Sequence, residues 1–227
     1  MTLPDKTIVV TGFEPYGGRQ VNPAAEVAKA LDGATIDGFA VIGAILPVSQ
    51  RGLRERLEAL LTELRPAIAI CLGLAPGEPM IRLERFGLNL LDFEIADNDG
   101  ARLADAPIEA DGGTAVRASL PLRAIERALL DAGIPVRLSS TAGTFLCNAT
   151  LYSLIRLLEM RFPAALGGFI HLPYLPLQVA QLLADGKRDR RLELAQRSDV
   201  ASMDLATQLR AVRIAMEQAV GELAARG

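Results

Sequence analysis

The chain has 227 residues, half of them hydrophobic, with a formal net charge of −3, one histidine and two cysteines. That length is enough to bury a core without disulfides or a metal, and the slightly acidic balance leaves no electrostatic footprint for nucleic acid. The cysteines show no CxxC or His-rich spacing, so neither a zinc site nor any other cofactor is expected. No apolar run approaches the about 18 residues of a spanning helix, and Lys6 leads directly into a strand with no signal peptide. These features predict a reduced cytoplasmic protein with no membrane partner.

In chain order, short β-rich runs alternate with helical segments. Residues 7–10 (TIVV) form a first strand, followed by the loop from Thr11 to Gly18. Asn22 caps a helix with Pro23 in its first turn, where a missing N–H costs nothing. Phe39–Leu46 is a second strand, and Ser49 is expected to cap a helix carrying Leu53, Leu57, Leu60, Leu61 and Leu64. The continuous apolar run 67–72 (AIAICL) is typical of a strand covered on both faces. After a turn-rich loop at 73–78, residues 81–91 alternate well enough for one extended segment, and 96–107 are polar and irregular. A short strand is expected at 114–119, a helix at 121–132 closed by Gly133, and a strand at 135–139. A helix begins near Cys147, and Leu166–Leu172 is the last strand. The charged run 186–191 reads as a solvated connection, and Ser202 as the cap of an amphipathic helix with Leu205, Leu209, Val212, Met216 and Val220 on one face. The alternation predicts one domain over residues 1–227 in the α/β class. Its architecture is a three-layer α/β/α sandwich with a mostly parallel central sheet.

Two positions carry chemistry. Cys147 stands where a loop becomes a helix, against unsatisfied N–H groups and the positive end of the dipole, which favour a thiolate. His171 falls at the C-terminal end of an apolar strand, the edge where open α/β sheets carry their sites. Together they suggest a thiol–imidazole pair, which needs an acid to orient the imidazole. Glu84, Asp92, Glu94 and Asp97 all lie near expected strand ends, and chemistry alone does not choose among them. Phe13 and Tyr16, in the Gly-rich loop after the first strand, suit either an apolar ligand wall or ordinary loop anchors. That loop lacks the spacing and the lysine of a phosphate-binding motif.

Three blocks then resemble the pyroglutamyl peptidase type I family: Phe13 to Gly18 with Asn22-Pro23, Ser140 to Asn148 around Cys147, and Gly168 to Pro176 around His171. A fourth, Leu83-Glu84-Arg85-Phe86-Gly87-Leu88-Asn89, resembles the block that holds the family's glutamate, and Ser202-Met-Asp-Leu fits its final segment. The resemblance implies a cysteine exopeptidase that removes N-terminal pyroglutamate from small peptides. In it Cys147 is the nucleophile, His171 the base and then the acid, and Glu84 the group that orients His171. It places Phe13, Tyr16, Asn22 and Phe145 in the substrate pocket, and it implies a homo-oligomer, dimer or tetramer. Several positions depart from the family pattern. Leu74 stands for a pocket glutamine, Glu78 for an arginine, Arg82 for a serine or threonine, and Glu94 for an arginine near the nucleophile. The segment between Pro176 and Ser202 also looks long for the family. The departures keep two alternatives open: a triad hydrolase with another amide specificity, and a small-molecule binding protein on the same scaffold.

Overall fold

The structure, a computed structural model, describes residues 5–188 and 201–226. Its centre is a sheet built from β1 (Asp5–Phe13), β2 (Thr35–Ile36), β3 (Phe39–Leu46), β4 (Pro66–Leu74), β5 (Ile81–Glu84), β8 (Val136–Ser139) and β9 (Leu166–Leu172). The strand order is β2-β3-β1-β4-β9-β5-β8. Strands β3, β1, β4 and β9 run parallel, whereas β2 is antiparallel to β3 and β5 to β9. Helices α1 (Pro23–Leu31), α3 (Leu122–Asp131) and α6 (Leu205–Arg226) cover one face. Helices α2 (Leu53–Leu64) and α4 (Leu146–Arg161) cover the other, which makes the expected three-layer α/β/α sandwich. Beyond β9, α5 spans Pro176–Arg188. Among the described residues, no helix is long and apolar enough to cross a membrane.

Side-chain alternation sorts the two cores. Ile8 and Val10 of β1, Ile70 and Leu72 of β4, Ile170 and Leu172 of β9 and Ile81 and Leu83 of β5 meet α1, α3 and α6. Their neighbours Phe13, Cys71 and Phe169 point to the opposite face, towards α2 and α4. Two glycines bring α1 onto the sheet. A Cβ on Gly12 would collide with the backbone carbonyl of Ala24, and one on Gly43 with that of Ala28. Asn22 caps α1 as expected, its Oδ1 accepting from the Ala24 N–H at 3.1 Å.

Four local expectations are corrected. Residues 81–91 do not form one extended segment. The chain leaves the main sheet after Glu84, and β6 (Phe86–Leu88) pairs antiparallel with β7 (Ala115–Arg117) in a separate ribbon. The loop at 73–78 starts later than expected, because Gly73 and Leu74 still belong to β4. Ser49 does not cap α2, whose N-cap is Gly52 in a left-handed conformation. The Ser49 hydroxyl instead donates to Asp99 at 2.6 Å and accepts from the Arg51 N–H. Ser202 does not cap α6 either: it bridges to Tyr174, and the Asp204 carboxylate takes the Thr207 N–H at 2.9 Å. Of the charged run 186–191, the first three residues continue α5 and the rest lie outside the described residues, as does the later part of the long segment before Ser202.

Candidate active site

The site is laid out by sheet register. Across β4, β9, β5 and β8, one row reads Gly73, His171, Arg82, Arg137, and the next reads Cys71, Phe169, Glu84, Ser139. All eight positions lie on the sheet face opposite α1, α3 and α6. Because β5 runs against β9, Arg82 lies opposite His171 and Glu84 opposite Phe169. A carboxylate two residues further along β5 is thereby brought back beside the imidazole.

Glu84 is fully buried and accepts from His171 Nδ1 at 2.8 Å. An ionised carboxylate only accepts, so Nδ1 is the donor, and Nε2 is left to face another partner. The other acids open at the sequence level do different work. The Asp97 carboxylate accepts the backbone N–H groups of Gln50, Asp99 and Ala101 and so folds its own loop. Asp92 and Glu94 are exposed.

Cys147 is the second residue of α4, after the N-cap Phe145, and its neighbour Asn148 fixes the helix in place. Asn148 Oδ1 accepts from the Leu88 N–H at 2.7 Å, and its amide donates to the carbonyls of Leu88 and Leu90. The Cys147 sulfur lies over β4 at Gly73: a Cβ there would sit 2.9 Å from Sγ and 2.7 Å from the Phe169 ring. Only a glycine lets the sulfur approach the sheet beside His171. Cys147 is half-buried and lines an open groove, and the desolvation it undergoes there pushes its thiol up to about 12. Glu84 pushes it in the same direction, while Arg82 and the Cys147 backbone N–H pull it down. The helix dipole alone predicts a thiolate; here desolvation outweighs it, and the resting group is a thiol. Glu94, which the family resemblance placed near the nucleophile, is exposed at the rim of the groove that Cys147 lines.

Two cavities flank the sulfur. The first is a narrow apolar cleft lined by Phe13, Tyr16, Asn22, Val48, Leu74, Phe145, Leu146 and Cys147. It thus brings together all four expected pocket residues, with Leu74 in the same wall. Phe145 stacks edge-on against Phe93 at 4.6 Å and lies 6.4 Å from the Tyr16 ring. Asn22 contributes little polarity, since its amide is already committed to Ala24 and to the Glu14 carbonyl. The free volume is only about 20 Å³, room for a water but not for a five-membered ring, so the cleft must widen to admit one. The second cavity is a groove of about 510 Å³ that carries Cys147, His171, Arg82, Asp92, Glu94, Ile95 and the 141–145 loop.

Sequence reasoning missed Gly73, Phe93, Asn148 and Phe169 as site residues. The only local signal was Gly73 directly after an apolar strand, and that is also how an ordinary turn begins.

The chain matches the family model described as pyroglutamyl peptidase over residues 6–222. It is 38% identical to the pyrrolidone-carboxylate peptidase of Pyrococcus furiosus over 95% of this chain and 99% of the relative. It is 42% identical to the Bacillus cereus G9842 protein of that name over 78% of this chain and 82% of the relative. The solved pyrrolidone carboxyl peptidase of Thermococcus litoralis superposes with a TM-score of 0.88 at 36% identity, covering 97% of this chain and 96% of that one. On sequence and fold together, this chain belongs to the pyroglutamyl peptidase family.

Proposed function

We propose that this chain is a cysteine exopeptidase that hydrolyses the amide bond after an N-terminal pyroglutamyl residue of small peptides. Cys147 is the nucleophile, His171 the base and then the acid, and Glu84 the orienting carboxylate. The observation that carries the reading is the pairing of His171 Nδ1 with the buried Glu84, with His171 set directly opposite Gly73, over which the cysteine sulfur lies.

The chemistry follows from that arrangement. The pyroglutamyl ring enters the cleft between Phe13, Tyr16 and Phe145, and the rest of the peptide lies in the larger groove. The Cys147 S–H proton passes to His171 Nε2 as the sulfur attacks the scissile carbonyl carbon. Charge developing on the carbonyl oxygen meets the free N–H groups in the first turn of α4. The imidazolium then protonates the departing amine, leaving a thioester. His171 next takes a proton from water, hydroxide adds to the thioester, and pyroglutamate leaves as Cys147 regains its proton. A thiol resting near 12 does not stand as an anion at neutral pH, so attack depends on this concerted transfer.

Leu74 in the cleft favours a second reading, the same triad acting on another ring-capped amide, because the wall it occupies is apolar. A fluorogenic pyroglutamyl amide, assayed beside its prolyl and glutaminyl analogues, separates the two. Turnover of the pyroglutamyl compound at least tenfold above the others supports the first reading, and preference for the prolyl amide replaces it with the second. No turnover of any would favour a binding protein. We further propose that the protein works as one domain in a homo-oligomer, dimer or tetramer, in the cytoplasm, where a reducing environment preserves a nucleophilic thiol.

A further inference from the structure

The row of charges behind the imidazole has no role in the steps above. Glu84 accepts with one oxygen only. Oε1 accepts from His171 Nδ1 at 2.8 Å and forms an ion pair with Arg82 Nη2 at 3.0 Å, while the buried Oε2 has no hydrogen-bond partner among the described residues. Arg82 is held in turn. Its Nη2 also donates to Ser139 Oγ and to the Thr141 carbonyl, each at 2.9 Å, and its Nη1 lies 3.6 Å from Glu78 Oε2. Glu78 is itself buried and clamped by a two-pronged contact from Arg137, Nε to Oε1 at 3.1 Å and Nη2 to Oε2 at 2.6 Å. The result is a chain of alternating charge, Arg137–Glu78–Arg82–Glu84, that ends on the imidazole.

We propose that Arg82 is a positioning residue for this site: it holds the buried Glu84 as a carboxylate aimed at His171, and Glu78, clamped by Arg137, sets how much of the Arg82 charge reaches the sulfur. The proposal rests on the triad reading. A carboxylate wholly removed from water needs a cation or several donors to stay charged, and apart from the imidazole N–H, Arg82 is the only side chain bonded to it among the described residues. Arg82 also acts on the Cys147 thiol directly, and it does so against Glu84. The other charged or titratable groups facing this centre are Cys71 on β4, Tyr16 with Arg19 in the loop before α1, Tyr174 after β9, and Asp92 and Glu94 at the groove. Arg85, the next arginine in the chain, does not line the groove.

The two partners predict shifts of opposite sign, which a purely structural role would not give. The experiment follows the rate of Cys147 alkylation by iodoacetamide at one fixed pH of about 8, read by mass spectrometry of the native protein. Arg82→Met removes the cation, so alkylation slows about tenfold or more and kcat falls at least tenfold. Arg82→Lys restores the charge and should return the alkylation rate to within about threefold of the parent. Glu78→Gln keeps the shape and an accepting oxygen but removes an anion, so more positive charge reaches the sulfur and alkylation speeds up. If Arg82→Met does not fold, Arg82→Lys and Glu78→Gln still decide. An alkylation rate that is unmoved or lowered in Glu78→Gln overturns the proposal, as does one lowered about tenfold in Arg82→Lys. Alkylation needs no substrate, so its outcome is separable from the peptidase reading. Rate changes of these signs in a protein that ignores pyroglutamyl amides would fail the substrate assignment alone.

Discussion

The two faces of the sheet are built from different materials. The face towards α1, α3 and α6 buries almost nothing but Ile, Val, Leu, Ala and Met, and its closest approaches are helix backbone against glycine at Gly12 and Gly43. The face towards α2 and α4 holds seven of the chain's ten aromatic rings and both cysteines. It also carries His171, Arg82, Arg137, Glu84 and Ser139, in two rows of which the first ends at Gly73 beneath the Cys147 sulfur. Aliphatic side chains fill volume at little entropic cost and offer no polar atoms, which suits a buttress. Rings leave flat walls and angular gaps, which suits a cleft for a planar ligand. One face therefore fixes the sheet so that the other can hold a site.

Substitutions that strike one face and spare the other test this division. The largest effect is expected from Cys147→Ala, which removes the nucleophile and should lower kcat on a pyroglutamyl amide by about 10⁴-fold or more. Its thermal midpoint should stay within a few degrees of the parent. On the buttress, Leu129→Ala empties a fully buried position and should cost about 2–5 kcal/mol in a urea titration. The kcat of the folded variant should be unchanged; a tenfold loss there would show that the faces are not independent.

Paired glycine variants sharpen the contrast. Gly73→Ala must displace either the Cys147 sulfur or the Phe169 ring, and should lower kcat about tenfold, equivalent to about 1.4 kcal/mol. Gly43→Ala pushes α1 off the sheet and should reduce stability while leaving kcat per folded molecule intact. The smallest effect at neutral pH concerns Cys71. Burial pushes its thiol up to about 12, so the folded chain keeps a proton that the unfolded chain loses near 9. Stability from this group is complete below pH 9 and is lost as pH rises from 9 towards 12, at up to about 1.4 kcal/mol per pH unit. Cys147 and Tyr16, also raised to about 12, add the same sign, with Tyr16 acting only above pH 10. Cys71→Ala should make the alkaline decline of the urea midpoint shallower and cost about 1 kcal/mol at neutral pH.

Much of this was legible from residue order, for identifiable reasons. Strands Phe39–Leu46 and Leu166–Leu172 are bounded by turn residues on both sides, so their limits are found without tertiary information. Asn22-Pro23 has the chemistry of a helix start, and it acts as one. Ser49 and Ser202 also have capping chemistry, but Ser49 spends its hydroxyl on Asp99 and Arg51, and Ser202 stands in a backbone bridge to Tyr174. Gly52 and Asp204 lie closer to the helices concerned, and a cap is won by geometry that sequence order alone does not contain. The break between Glu84 and Phe86 was invisible because both sides alternate; what separates them is that Arg85 N–H bonds to the Ser139 carbonyl while the Arg85 carbonyl takes the Ala118 N–H. The cysteine and histidine stood out by type and placement. Choosing Glu84 over Asp92, Glu94 and Asp97 needed the family pattern, since the antiparallel turn of β5 decides it in space. The Glu78–Arg137 clamp spans 59 residues of sequence, and each partner reads locally as an ordinary surface charge.

The antiparallel setting of β5 makes the site a matter of parity. Along this strand the residues alternate between chemistry and ballast: Arg82 and Glu84 look towards the nucleophile, Ile81 and Leu83 into the aliphatic layer. An insertion or deletion of one residue between Ile81 and Glu84 would exchange the two sets, sending a carboxylate or a guanidinium into the dry side. A change of two would keep the faces but move the carboxylate about 7 Å along the strand, past the imidazole. The turn before the strand, residues 75–80, is free of this parity, because ladder bonds to β9 and β8 re-establish the count after it, although Glu78 within it must still reach Arg137 and Arg82. Length variation in this stretch is thus confined to the turn on either side of Glu78, and β5 tolerates none.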